Sequence, residues 1–211
     1  QTVDVDDAVI IGHKAGYSNM TSGADGTIAI GYKAANALTT GEGNIAIGYN
    51  AMLVHTTGGN NIAIGYGAMD DNDAGSTSLG SDDNMFIGKD SGGGTWADVK
   101  SEKNVAIGNL TMDSALNGAL NNVAIGYSAL SAITEGDSNT VVGYHSGLSI
   151  TTGIRNVGLG LQTLDAVTTG TRNIAVGTNA GSTISTTSYN IFIGNDAGAS
   201  ATGTAALGIG H

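Results

Sequence analysis

Short apolar runs that end in glycine recur along this chain. The clearest are Asn44-Ile45-Ala46-Ile47-Gly48, Asn61-Ile62-Ala63-Ile64-Gly65 and Asn122-Val123-Ala124-Ile125-Gly126. The anchoring glycines are Gly12, Gly31, Gly48, Gly65, Gly88, Gly108, Gly126, Gly143, Gly160, Gly177, Gly194 and Gly208, with a commonest spacing of 17 residues and extremes of 14 and 23. Counted from each glycine, position −4 is Asn in nine copies, including Asn44, Asn61, Asn122 and Asn173. Positions −3 and −1 are mostly Ile, Val or Leu, and −2 is usually Ala. This period-2 alternation predicts a short β-strand in every unit. The large residues at −3 and −1 are expected to face the interior. The alanine face is expected to lie against a second packed surface, a neighbouring subunit.

Position +3 is small in eleven copies, +4 is Met, Leu, Ala or Gly, and +7 is often aliphatic. A turn follows, in several copies Thr-Thr-Gly, as at 39–41, 56–58, 151–153 and 168–170. Each unit therefore reads as strand, bend at glycine, second short strand, turn. Recurrent glycine and β-branched runs exclude a helical reading. A period this short signals stacked repeats. The predicted fold is all-β, a parallel β-solenoid of about twelve 14–23-residue coils in one domain, 1–211. At about 4.8 Å per strand the rod is roughly 55 Å long. Its asparagines form a ladder from coil to coil. Gly48, Gly65, Gly126 and Gly177 mark the structural repeat with those asparagines.

Composition sharpens the picture. There are 35 glycines, no proline, no cysteine, one tryptophan, seven tyrosines and two phenylalanines. Such a chain cannot build a thick core. Few large side chains are buried per coil, so a lone rod is expected to gain stability by oligomerising. The net charge of −11 argues against nucleic acid as a partner, because phosphate neutralisation needs clustered Lys and Arg. No hydrophobic run is long enough to span a membrane, so no membrane insertion is expected.

The repeat Asn-(Ile/Val)-Ala-Ile-Gly-Tyr-x-Ala-(Leu/Met), followed by Thr-Thr-Gly, resembles the repeats of bacteriophage tail-fibre proteins. It is also similar to the head repeats of YadA-type trimeric autotransporter adhesins, whose repeat length the 14-residue spacing from Gly194 to Gly208 matches. The resemblance implies a left-handed parallel β-roll assembled as a homotrimer. It implies an extracellular fibre on a virion tail or a bacterial cell surface. Its partners would be a cell-surface glycan or protein receptor and other fibre or tail proteins. Tail fibres of this kind often carry a self-cleaving chaperone domain. No such domain is expected within residues 1–211, which would then be a cleaved product or a fragment.

Repeat proteins place function where the period breaks. Gly65 to Gly88 runs six residues over, and Gly88 to Gly108 three over. A protruding region at about 69–103 is therefore the expected ligand contact. It holds Trp96, Asp71, Asp73, Asp82 and Asp83. Trp96 either stacks on a glycan or packs against a neighbouring chain. The acidic segment either binds calcium, whose hard oxygen ligands it resembles, or is solvated; it does not match the EF-hand pattern. No other cofactor and no dedicated metal site is expected. His55 falls at +7 and is expected in the interior or at the trimer contact. Tyr32, Tyr49, Tyr66, Tyr127 and Tyr144 recur at +1 and are read as a stack along the rod, or as a row that binds sugars. No Ser-His-Asp set and no pair of placed carboxylates at regular positions is present, so no catalytic residue is expected and the chain is read as a non-enzyme. Competing readings are a polysaccharide-degrading tailspike and an ice-binding solenoid built on the Thr-Thr pairs.

Overall fold

The computed structural model describes residues 6–70, 80–97, 99–199, 201 and 203–210. Twelve three-residue strands form a single parallel sheet in strict sequence order. They are β1 (Val9–Ile11), β2 (Ile28–Ile30), β3 (Ile45–Ile47), β4 (Ile62–Ile64), β5 (Met85–Ile87), β6 (Val105–Ile107), β7 (Val123–Ile125), β8 (Thr140–Val142), β9 (Val157–Leu159), β10 (Ile174–Val176), β11 (Ile191–Ile193) and β12 (Leu207–Ile209). Every neighbouring pair is in register, position −3 on −3 and −1 on −1. The chain is a parallel β-solenoid. The two long units do not disturb it: Ile62 still pairs with Met85, and Met85 with Val105.

The register moves one anchor. Leu207 pairs with Ile191 and Gly208 with Phe192. Gly208 therefore occupies position −2, and Gly210 is the anchor, its N–H donating to Ile193 O at 2.9 Å. Gly210 lies 16 residues after Gly194, so the 14-residue spacing is not a real repeat length here. Two glycines two apart in Gly208-Ile209-Gly210 made the frame ambiguous in sequence.

The strands also face opposite to the expectation. The residue at −2 is the one inside: Ala29, Ala46, Ala63, Ala106, Ala124 and Ala175 are fully buried. The aliphatic residues at −3 and −1 point outward and are half-buried or exposed. The cause is width. The opposite wall of each coil approaches closely, bringing small residues at +3 (Ala34, Ala51, Ala68, Ala129) and larger ones at +4 (Met52, Met69, Met112, Leu130), all fully buried. Beside that wall there is room at −2 for a methyl group. The exceptions obey the same volume rule. Phe86 takes position −2 where +4 is Gly92, and a Cβ on Gly92 would stand 2.6 Å from the Phe86 ring. Phe192 likewise lies against Gly181 and Gly198.

The expected second strand is absent among the described residues; turns occupy the segment after each glycine. Residues at +2 and +4 have positive φ, as Asn50 (57°) and Met52 (52°) do. Coil-to-coil backbone hydrogen bonds continue through these turns, for example Met52 N–H to Ala68 O at 3.0 Å.

The asparagine ladder is complete from Asn44 to Asn190, every member essentially buried. From Asn44 to Asn173, each Oδ1 accepts from both the backbone N–H and the Nδ2 of the next asparagine. For Asn122 and Asn139 these distances are 2.9 and 3.0 Å. Over the same span each Nδ2 also caps a carbonyl of the following turn, as Asn122 does at Gly136 O, 2.8 Å. The amides satisfy turn backbone that would otherwise be buried without partners.

Candidate functional site

Three surface features survive once the fold has absorbed its structural residues: an aliphatic stripe, an aromatic column and the region of the two long coils.

The stripe is the outward face of the sheet. Its two positions per strand are aliphatic or methionine throughout, save Thr140. Exposure is 38% at Val142 and 40% at Leu159, on strands well inside the stack. A long continuous apolar surface of this kind is unusual for a lone soluble chain.

The aromatic column runs beside it at position +1. Tyr32, Tyr49 and Tyr66 stack with centroids 4.9 Å apart and planes within 13°, and His13 extends the stack at 5.4 Å. Tyr127 and Tyr144 form a second stack at 5.5 Å, with His145 3.9 Å from Tyr144. The inner ring faces are occupied by one another, leaving edges and hydroxyls exposed. Sugar binding through open ring faces therefore fits poorly, and the stacking reading fits well. Threonines of the Thr-Thr-Gly turns donate to the next coil, as Thr39 Oγ1 does to Thr56 O at 3.0 Å.

In the long-coil region Trp96 takes neither expected place, being open neither to a glycan nor to a neighbouring chain. The side chain is fully buried in its own solenoid. Its ring meets Phe86 edge-on at 5.6 Å, and Nε1 donates to Gly92 O at 3.0 Å. A ring with no open face offers no platform to a sugar. Asp82 accepts from Gly59 N–H at 2.7 Å and faces Lys100 Nζ at 3.6 Å. Asp83 is exposed and adopts φ 59°. Asp71 and Asp73 lie outside the described residues. Among the described residues, no group of three or more His, Asp or Glu is placed to hold a metal ion. His55 is interior as expected, with Nε2 2.9 Å from Gly58 O.

Carboxylates do gather here, at positions that a repeat-by-repeat alignment would have shown. Asp70, Gly93 and Asp113 share position +5 of consecutive coils. A Cβ on Gly93 would stand 3.1 Å from Asp113 Oδ1 and 3.3 Å from Asp70 Oδ1, so both acids lean over the glycine gap. Burial and, next, the Asp90 charge raise the Asp113 carboxyl to about 6 from an ordinary 3.8, although Gly93 N–H and Lys89 act the other way. An acid whose folded pKa lies above its unfolded one binds its proton longer in the fold. Its contribution is thus most favourable below about pH 4 and is lost as pH rises through about 6. Asp113→Asn should melt above wild type at pH 7.5, and that difference should shrink at pH 4. Calorimetry at the two pH values checks it; a difference independent of pH would contradict it.

No protein family, curated protein or solved structure matches the chain.

Proposed function

We propose that this chain is the structural and adhesive shaft segment of a homotrimeric surface fibre of the phage tail-fibre type, giving rigidity, reach and multivalent attachment outside the cell. The observation that carries the reading is the aliphatic stripe on the outer face of all twelve strands. Three rods packed side by side about a common axis, stripes inward, would cover it along its full length and close the assembly. The subunit contact then lies on the Ile ladder and not on the alanines, which the coil itself buries. Three copies of any weak surface site would act together, and avidity would multiply their affinity. No catalytic chemistry belongs to this reading.

Sedimentation equilibrium tests it. The expected mass is three times the 20.9 kDa of one chain. The double variant Ile47→Lys/Ile64→Lys, with two charges on neighbouring rungs of the stripe, should dissociate to single chains or fail to assemble. A folded, monodisperse wild-type monomer would end the proposal.

A further inference from the structure

The chain contains two arginines, Arg155 and Arg172, in a total of seven basic residues against 18 acids. Both stand at position −5, on consecutive coils. Val157 pairs with Ile174 two residues further on, so the arginines are direct neighbours on rungs about 4.8 Å apart. Both are exposed. Among the described residues neither lies within ion-pair distance of a carboxylate; Lys14 and Lys33 share this, while Lys89, Lys100 and Lys103 are paired. Asp137, one position out of register on the coil before Arg155, turns to its own preceding coil, accepting from Leu120 N–H at 2.8 Å. The acids of residues 141–211 are Asp165 and Asp196, which sit at +5 and +2, beyond the glycine bend.

Two like charges on adjacent rungs repel, and a protein this acidic had many carboxylates to spare for them. Arg172 is moreover held in place. Its guanidinium carbon lies 5.2 Å from the centre of the Tyr189 ring on the next coil, and Nη1 donates to the Tyr189 hydroxyl at 2.7 Å. That hydroxyl keeps its own proton to donate. Ser138, Arg155, Arg172 and Tyr189 thus form one exposed column of donors over four coils. Guanidinium forks suit oxyanions with paired acceptor oxygens.

We infer that the Arg155–Arg172–Tyr189 column binds an oxyanion of a surface polysaccharide, a carboxylate or a sulfate ester bridged by the two guanidinium groups. The polysaccharide source rests on the surface-fibre reading, but the site belongs to one chain and would exist in a monomeric rod as well, so its failure and that of the trimeric reading are separable.

The experiment measures binding of the full chain in its native assembly at 150 mM salt to immobilised dextran sulfate, polygalacturonate and neutral dextran. Wild type should bind at least one anionic polymer and not neutral dextran; which polymer is bound tells sulfate from carboxylate. Net charge opposes such binding, so retention reports a local site. Arg155→Gln and Arg172→Gln should each weaken it roughly tenfold, and the double variant roughly a hundredfold. Arg172→Lys should recover only part, having charge without the fork. An unchanged melting temperature shows that the variants fold. No retention of wild type on either anionic polymer, or equal retention of the double variant, overturns the inference. So does loss of the native sedimentation mass in the double variant, which would assign the arginines to a neighbouring subunit.

Discussion

Gly108→Ala is expected to lower the melting temperature by about 8 °C or more, or to abolish the folded rod. Gly108 has φ 136°, a conformation that side chains with a Cβ rarely adopt. A Cβ there would lie 2.5 Å from Gly126 O and 2.7 Å from Gly126 C on the next coil. Neither atom can yield. The Gly108 N–H is bonded to Ile87 O at 2.7 Å, and the Gly126 N–H to Ile107 O at 2.8 Å. Relief therefore requires two coils to separate and their ladder to open. The combined cost is on the order of 4 kcal/mol or more, which for a chain of this length is roughly 8–16 °C. Because each coil touches only its neighbours, a break in the middle divides the rod into two shorter stacks. Gly203 is the control: a Cβ there meets nothing within 4 Å, and Gly203→Ala should melt with wild type. Thermal denaturation followed by circular dichroism reads both. A Gly108→Ala rod that melts within 2 °C of wild type would show that the coils can part freely at this point.

The repeat made the fold legible because each signal is multiplied. One glycine after one apolar triplet says little, but the same register many times over fixes a parallel stack. The asparagines were legible for the same reason, and the structure bonds them as a continuous ladder. Alternation told that −2 differs from its neighbours, yet not which side was inside. That depended on the far wall of the coil, where Ala51 and Met52 approach. Period-2 patterning is symmetric, and only the width of the interior breaks the tie. Phe86 and Phe192 at −2 carried the clue, since large aromatics seek burial and each coincides with glycine at +4.

Rarity misled at Trp96. A lone tryptophan in an irregular coil looks like a ligand contact, but an irregular coil also leaves a gap, and an indole fills it. The features that sequence reading passed over were column relations. Asp70 with Asp113, and Arg155 with Arg172, are 43 and 17 residues apart in the chain yet stand one or two rungs apart in the stack. Long-range charge pairs in a solenoid become visible only after the repeats are written one beneath another.

Asn122→Ala should be the second most damaging single change, and it tests whether the ladder is a hydrogen-bonding device or merely fills space. Asn122 Nδ2 donates to Asn104 Oδ1 at 3.1 Å and to Gly136 O at 2.8 Å. Its Oδ1 receives the Asn139 N–H at 2.9 Å and Asn139 Nδ2 at 3.0 Å. Truncation leaves the Asn139 N–H and the Gly136 carbonyl without these partners in a buried strip. Each such orphan costs about 1–3 kcal/mol, so the pair costs roughly 3–5 kcal/mol, or about 10 °C in melting temperature. Asn122→Asp preserves shape but removes both side-chain donations and sets a carboxylate beside Asn104 Oδ1. It should melt lower still at pH 7, and recover in part at a pH where the acid is protonated. Asn190→Ala is the graded comparison. Its Oδ1 serves Ala206 N–H alone, at 2.8 Å, so the loss should be smaller. If Asn122→Ala and Asn190→Ala melt alike and close to wild type, the amides are spacers, and coil cohesion must come from the backbone and the thin core alone.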